Sequence, residues 1–277
     1  MSVFDYKGNP LTREKIRVCC FNVADFCLGN SDIPEGTDEL YNKFMDTFRK
    51  CHADVYMFSE WDPNWNSNET SEEVFGFLAP YHSTYLRTGS SGDESRGTIG
   101  QMNYSSFEII GEYHEAYPNA DQNRYFIDNI VRINGKNVHF ICTHLTLYYK
   151  TEAMSEIQQI LDYINNNNIT TYIIGGDMNL GLHGRDDIPQ TIENRIAIAL
   201  EEIELLESLG GTSIQGSRWG QKDRSFLFNT VYHEGYAREN IGCFDNFVIS
   251  PDIRIANMEL VITEASDHDA LCVDLVI

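Results

Sequence analysis

Basic residues are scarce in this sequence. The 277 residues include 20 Lys and Arg against 42 Asp and Glu, so the net charge is −22 at pH 7. A charge of this sign repels phosphate backbones at long range, which argues against a protein that binds nucleic acid through a broad basic surface. It does not exclude a nuclease, because a bound divalent cation and a few local cations can reverse the field at one site.

Long apolar runs and paired cysteine motifs are also missing. No segment reaches the roughly 18 consecutive apolar residues of a membrane span, and residues 1–18 contain no apolar stretch of the kind found in signal peptides. The seven cysteines show no CxxC spacing, and most lie inside apolar runs: Cys19, Cys20, Cys142 and Cys272. We therefore expect a cytoplasmic protein with reduced cysteines in its core.

Short apolar runs with strand-like patterns dominate the chain. They predict strands at 15–22, 54–59, 83–88, 97–103, 107–113, 125–133, 137–146, 170–176, 244–250, 257–263 and 270–277. Helical periodicity predicts helices at 38–51, 71–79, 152–164 and 190–209. Many strands with few, scattered helices predict two packed sheets with helices outside them, in a single domain that spans residues 1–277.

Polar side chains stand at the ends of several apolar runs. Those that follow or precede such a run are Asn22, Glu60, His144, Asp177, Asn179, Asp245, Asp267 and His268. Taken singly, each is common as a turn, solvated or structural residue. Together they would supply hard oxygen ligands, amide donors and two imidazoles at one rim of a rigid sheet scaffold, where catalytic groups usually gather. Because Asp267 and His268 are adjacent, both can face one site only from a loop.

The stretch TTYIIGGDMNL, residues 170–180, predicts a strand that delivers a carboxylate and an amide at its end. In an extended chain, residues i and i+2 point the same way, so we expect Asp177 and Asn179 to converge on one atom. The carboxylate would orient a water and the amide would donate to a phosphoryl oxygen. Gly175 and Gly176 are expected to allow a tight turn and to leave room for a ligand.

Six segments extend this pattern over almost the whole chain: FNV, SE, THL, GGDMN, FDNFVIS and SDH, in this order. Together they resemble the signature of the endonuclease/exonuclease/phosphatase superfamily, the DNase I-like metal-dependent phosphoesterases. The specific feature is GD-x-N followed about 90 residues later by SDH. The resemblance implies an α/β fold, a four-layer α/β sandwich with two central mixed β-sheets flanked by helices.

The resemblance also implies a metal site. Glu60 looks like the main ligand of Mg²⁺, for which Mn²⁺ is a possible substitute, and Asn22 and Asp267 would lie in or beside the coordination of the ion. Trp61 and Trp65 follow Glu60 in the sequence, and we expect these aromatic residues to line the substrate groove.

Roles in the reaction follow from the same resemblance. Asp177 would position or deprotonate the attacking water, and Asn179 would hold the phosphate. His268, oriented by Asp245, would stabilise charge in the transition state or act as a base. His144 would bind the phosphate or assist the leaving group.

Substrate contacts are expected from other residues, because the fold does not determine the substrate. Arg124 resembles an Arg of the deoxyribonuclease branch that contacts phosphate. Residues 216–225 surround an aromatic ring with cations in an otherwise acidic chain: Arg218, Trp219, Lys222 and Arg224. A base or sugar could stack on the ring while the cations meet phosphate, although a solvated turn with a packed Trp is an equal alternative.

The leading hypothesis is a Mg²⁺-dependent phosphodiesterase whose substrate is DNA, RNA or a nucleotide. The first alternative is a phospholipase, or a lipid or small-molecule phosphatase, of the same superfamily. The second is a catalytically silent binding protein on this fold. It is disfavoured because every expected metal and acid/base position is filled.

Overall fold

The structure, a computed structural model, describes residues 15–26, 37–88, 98–117, 124–146, 150–179, 212–213 and 244–277, together with Glu201 and Glu204. Within these ranges the strands are β1 (Ile16–Asn22), β2 (Val55–Trp61), β3 (Tyr81–Thr88), β4 (Thr98–Ser105), β5 (Ile109–Ala116), β6 (Tyr125–Ile133), β7 (Lys136–His144), β8 (Tyr172–Asp177), β9 (Thr212–Ser213), β10 (Asp245–Ile249), β11 (Arg254–Val261) and β12 (Ala270–Val276). The helices are α1 (Asp38–Cys51), α2 (Ser71–Phe75) and α3 (Lys150–Asn166), with a single 3-10 turn at Ala24–Phe26.

The described strands form two six-stranded mixed sheets. The first has the order β11-β12-β1-β2-β4-β3, and the second has the order β5-β6-β7-β8-β10-β9. The pairs β1/β2 and β7/β8 are parallel, and the other neighbouring strands are antiparallel. Each sheet therefore has one parallel pair near its centre, and this pair determines which strand ends meet at one rim.

The main core lies between the two sheets, and the alternation of side chains along β1 shows how it is built. Ile16, Val18 and Cys20 point into the space between the sheets, where they join apolar residues of β7, β8 and β10. Cys19 and Phe21 point the other way, towards α1. Both faces of the strand are buried, which explains why its sequence reads as a continuous apolar run.

Two helices complete the layers. The buried face of α1, which includes Phe44 and Phe48, covers the outer face of the first sheet. The apolar face of α3, which includes Ile157 and Ile160, covers the outer face of the second sheet. The order helix, sheet, sheet, helix is the four-layer α/β sandwich expected from the sequence, so the predicted fold class is confirmed.

Within the described residues, the predicted elements agree with the structure within a few residues, with two exceptions. The helix predicted at 71–79 ends at Phe75, and the two-residue strand β9 was not predicted. The helix predicted at 190–209 lies outside the described residues, apart from Glu201 and Glu204, which are helical. None of the described helices is long and apolar enough to cross a membrane. The described cysteines are buried and form no disulfide.

The expectation for the two glycines before Asp177 was wrong. They do not form a turn, because β8 continues through both of them to Asp177. Nor do they leave room for a ligand, because the protein itself fills the space. A Cβ atom at Gly175 would lie 2.7 Å from the ring of Phe247, and one at Gly176 would lie 2.0 Å from the carbonyl oxygen of Thr143. These glycines therefore allow close packing at the end of β8.

Replacing Gly176 by Ala tests this close packing. Gly176 has φ +133°, and its added Cβ would meet backbone, whereas Gly135 has φ +83° with nothing within 4 Å. We expect Gly135→Ala to lower the free energy of unfolding by about 1 kcal/mol, the strain of a positive φ alone. Gly176→Ala should lower it by about 3 kcal/mol or more, because overpacking adds to strain. Urea unfolding of both variants measures the difference, and equal losses would contradict the packing described.

Candidate active site

The candidate site lies at one rim of the sandwich, where the strand directions bring polar residues together. The parallel pairs β1/β2 and β7/β8 end at this rim with Asn22, Glu60, His144 and Asp177. Because β10 runs antiparallel to β8, it begins at this rim, and Asp245 lies directly opposite Asp177. For the same reason β12, antiparallel to β1, brings the loop before it to the same place.

A β-bulge presents Glu60 to the site. The pairing of β2 with β4 shifts register between Phe58 and Trp61, so that Ser59 and Glu60 together face Gln101 alone. Glu60 has φ +53°, a left-handed conformation that is uncommon for a residue with a side chain. Bulges of this kind redirect a side chain out of the normal alternation, and strained backbone of this kind clusters at functional sites.

Asp177 is the centre of the hydrogen-bond network. Its side chain is almost fully buried, and its Oδ2 atom accepts a hydrogen bond of 3.0 Å from the Asn22 amide. The Nε2 atoms of His144 and His268 lie 3.3 Å and 3.7 Å from the same oxygen. Burial alone would raise the pKa of Asp177, but the charges of the two histidines and the hydrogen bonds from His144 and Asn22 outweigh burial. The pKa therefore lies well below its usual range, and the carboxylate is ionised.

Asn22 also connects Asp177 to Glu60. Its amide nitrogen donates to Glu60 Oε1 at 3.2 Å as well as to Asp177, and its side-chain oxygen accepts from the backbone N–H of Ala24 at 2.9 Å. Donor atoms of Glu60, His144 and Asp177 all lie within 4.8 Å of one another. One amide thus holds two carboxylates, one from each sheet, beside an imidazole.

Asp245 and His268 form a buried pair. His268 Nδ1 lies 2.7 Å from Asp245 Oδ2, and neither side chain is more than slightly exposed. Burial acts to lower the pKa of His268, but the charge and hydrogen bond of Asp245, followed by the charges of Asp177 and Asp267, raise it well above its ordinary value. The ring is therefore held in its charged form with Nε2 directed towards Asp177.

The backbone conformation that places Asn179 beside Asp177 differs from the one expected. The strand ends at Asp177, and Asn179 has φ +51°, so the chain is not extended between them. The Asn179 backbone N–H donates to Asp177 Oδ1 at 2.9 Å, and its side-chain nitrogen donates to the carbonyl oxygen of Leu145 at 2.8 Å. The expectation of an extended chain was wrong, and it is the Asn179 backbone, not its side chain, that contacts the Asp177 carboxylate. The amide nitrogen has a second N–H with which it can donate.

Ser266 is a residue that the sequence reasoning did not assign. Its hydroxyl donates to the carbonyl oxygen of Asn22 at 2.7 Å and accepts from the backbone N–H of His268 at 3.1 Å. It thereby anchors the loop that contains Asp267 and His268. Among the described residues, the predicted metal ligand Asp267 does not belong to the group of donors formed by Glu60, His144 and Asp177. The sequence signal that could have identified Ser266 is its position in the SDH segment, directly before Asp267 and His268.

Arg124 lies immediately before β6, among the acidic groups of the site. Its side chain is buried, and burial lowers its pKa, while the nearby charges of Asp177, Glu60 and Glu156 act to raise it. An arginine remains charged under such opposing effects. The structure therefore places one buried cation beside the carboxylates of the candidate site.

The predicted aromatic lining of the groove was wrong. Trp61 is 1% exposed and Trp65 is 4% exposed, and both pack against Phe26 and Phe75 in the core beneath α1. Trp61 follows the bulge and points away from the site, and large aromatic side chains gain most from such burial. The other predicted substrate contacts lie outside the described residues: Arg218, Trp219, Lys222 and Arg224.

The charge of His268 provides a test of the site without any metal. In protein treated with a chelator, replacing Asp245 by Asn removes the nearest negative charge and leaves burial, which favours the neutral ring. We expect the pKa of His268 to be above its ordinary value in the wild type and to fall in Asp245→Asn. An NMR titration of the imidazole resonances measures both values. The same titration midpoint in both proteins would show that Asp245 does not hold the charge.

The fold matches solved structures, while no protein-family model and no curated protein sequence matches the chain. An endonuclease/exonuclease/phosphatase from Beutenbergia cavernae has a TM-score of 0.70 at 16% identity, over 96% of this chain and 72% of its own. The human Nocturnin catalytic domain has a TM-score of 0.65 at 15% identity, over 96% and 94%. D. rerio TDP2 has a TM-score of 0.63 at 15% identity, over 95% and 99%. The chain therefore has the fold of the endonuclease/exonuclease/phosphatase proteins, which confirms the resemblance of its motifs at the level of the fold.

Proposed function

We propose that the protein is a Mg²⁺-dependent phosphodiesterase that hydrolyses a phosphoester of a nucleic acid or nucleotide. The observation that carries the proposal is the convergence of Glu60, His144 and Asp177 at one rim, next to the buried pair of Asp245 and His268. The similar D. rerio TDP2 structure is a complex with a single-strand DNA product, and the Nocturnin structure contains a sulfate anion. Both support a phosphate ester as the substrate.

The donor atoms fit a hard divalent cation. Glu60 and Asp177 offer carboxylate oxygens, which Mg²⁺ prefers, and Asp267 offers a third carboxylate from the loop before β12. Asn22 turns its amide nitrogen, not its oxygen, towards the carboxylates, so we propose that it holds Glu60 in place and does not coordinate the ion itself. When bound, the ion would supply positive charge against the negative charge that develops on the phosphoryl oxygens.

Asp177 and Asn179 would act on the water and the phosphate. Asp177 is ionised and buried, so its oxygen can accept a hydrogen bond from the attacking water and orient it towards phosphorus. Its low pKa favours orientation of the water over removal of its proton. Asn179, held by Leu145 and Asp177, can direct its second amide N–H to a phosphoryl oxygen.

The two histidines would stabilise the phosphate as it gains negative charge. The buried guanidinium of Arg124, which lies near the charges of Asp177 and Glu60, would add a positive charge to the site. His268 has its Nδ1 atom fixed by Asp245, so its protonated Nε2 can donate to a phosphoryl oxygen. His144 Nε2, at 3.3 Å from Asp177, can bind phosphate or assist the leaving group. As the water oxygen bonds to phosphorus, the bond to the leaving oxygen breaks and that oxygen takes up a proton. The products are a phosphomonoester and an alcohol.

A panel of phosphoesters tests the function. Single-stranded and double-stranded DNA, RNA, dinucleotides, a phosphomonoester, a phosphoinositide and sphingomyelin would each be incubated with Mg²⁺ and with EDTA. The proposal predicts EDTA-sensitive cleavage of a nucleic acid or nucleotide ester. Faster cleavage of a lipid ester or a monoester would favour the phospholipase or phosphatase alternative. No cleavage of any ester would favour the silent binding protein.

The proposed metal role of Glu60 predicts the effect of Glu60→Gln. The amide keeps the shape of the side chain but loses the charge that binds a hard cation. We expect weaker Mg²⁺ binding by calorimetric titration and loss of most activity, with an unchanged circular dichroism spectrum. Glu39→Gln, which changes an exposed carboxylate on α1, should leave Mg²⁺ binding unaltered. Equal Mg²⁺ affinity in the two variants would remove this role.

The proposed unit of Asp245 and His268 predicts a non-additive result. His268→Ala should lower turnover by about 10³-fold, as when an electrostatic or acid/base group is lost. Asp245→Asn should lower turnover by less, and the double variant should be little worse than His268→Ala, because residues that act as a unit are non-additive. The Michaelis constant should change much less than turnover. Losses that multiply in the double variant would show that Asp245 does not act through His268.

A further inference from the structure

Three cysteines form a cluster on the outer face of the first sheet, beneath α1. Cys19 on β1 and Cys272 on β12 are direct partners in the antiparallel pairing, so their side chains lie side by side on one face. Cys51, the last residue of α1, lies over them. The sulfur atoms of all three lie within 4.8 Å of one another, and all three residues are fully buried.

The geometry points to a metal site: we propose that Cys19, Cys51 and Cys272 bind one thiophilic cation of the class of Zn²⁺, Cd²⁺ or Cu⁺. Thiolate ligands select such soft ions over Mg²⁺, which requires oxygen ligands. With a metal–sulfur distance of about 2.3 Å, a trigonal or tetrahedral ion requires sulfur atoms roughly 3.8–4.0 Å apart. The sulfur atoms lie within 4.8 Å of one another, so binding requires the side chains to draw together by about 1 Å at most, while two strands and a helix end hold the three residues in place.

The other described cysteines do not converge in this way. Cys20 and Cys142 are also buried and free, but among the described residues neither belongs to a group of three donor atoms within 4.8 Å. Contact with a backbone carbonyl oxygen does not distinguish them, because the sulfur of Cys19 also lies 3.8 Å from the carbonyl oxygen of Cys20. A single buried cysteine behaves as a small apolar residue. Cys19, Cys51 and Cys272 come from distant parts of the chain and offer three soft donors, enough for a trigonal ion.

Arg17 adds a positive charge next to the cluster. Its Nε atom donates to the carbonyl oxygen of Cys51 at 2.7 Å, and its guanidinium also contacts Asp274 and Glu259. Because Arg17 is partly exposed, its side of the cluster is the nearer one to solvent and the route by which we expect an ion to enter.

A bound ion would connect α1 to two central strands of the first sheet. Binding to the folded protein only would raise its stability by an amount that grows with free metal concentration. This effect would be independent of the rim at which Glu60 and Asp177 lie, because those two side chains offer oxygen donors and not the sulfur donors that soft ions prefer. The inference therefore does not depend on the proposed phosphodiesterase activity.

The experiment is a Cd²⁺ titration of the reduced protein, residues 1–277, in the presence of excess Mg²⁺. We expect the ultraviolet charge-transfer band of a cadmium thiolate to saturate at one equivalent and the melting temperature to rise. X-ray absorption of the loaded wild-type protein should show three sulfur neighbours, a result that needs no variant. No band, or fewer than three sulfur neighbours, would overturn the proposal.

Variants assign the site within the chain. Cys51→Ala should abolish the band and the rise in melting temperature, whereas the matched control Cys20→Ala, also buried, should retain both. Variants at Cys27 and Cys243, which lie outside the described residues, should also retain the band. A band that persists in folded Cys51→Ala, or that is lost on changing Cys27 or Cys243, would place the metal elsewhere and overturn the proposal.

Discussion

The candidate site depends on one buried carboxylate at the junction of the two sheets, that of Asp177. An ionised carboxylate away from water is unstable unless hydrogen bonds and positive charges compensate it. Here the compensation comes from both sheets: His144 belongs to the same sheet, while Asn22 and His268 come from the other sheet and its adjoining loop. The groups that stabilise the Asp177 carboxylate also position its neighbours. Asn22 donates to Glu60, and His268 pairs with Asp245.

The rest of the sandwich serves to keep these groups in register. Gly176 lets β8 approach the carbonyl oxygen of Thr143, and the hydroxyl of Ser59 makes long contacts of 3.4 Å with that carbonyl and with the Asp177 backbone N–H. Small side chains at these positions allow the ends of the two sheets to come close. Beside them, the bulge at Glu60 turns a carboxylate of the first sheet towards one of the second. Close packing and local strain are thus concentrated at the rim where the polar residues meet.

Much of this was predictable from the sequence, because strand runs and polar residues at their ends are local signals. Such signals predicted the bounds of β6 and α1. Together with the family resemblance, they also predicted that four polar residues meet at one rim: Glu60, His144, Asp177 and His268. What could not be predicted depends on tertiary contacts. Neighbouring elements determine the left-handed backbone of Asn179, the bulge at Glu60 and the burial of Trp61. The anchoring role of Ser266 requires a partner 244 residues away in the sequence.

We propose that Asn22, which donates to both carboxylates, holds Glu60 and Asp177 together as a site for a hard cation. The most direct test is a crystal structure of the protein grown with Mn²⁺, with anomalous diffraction at the manganese edge to locate the ion. We expect an anomalous peak in contact with Glu60, with Asp177 facing it and the Asn22 amide still donating to the Asp177 carboxylate. A peak away from Glu60, or an Asn22 that contacts neither carboxylate, would contradict it.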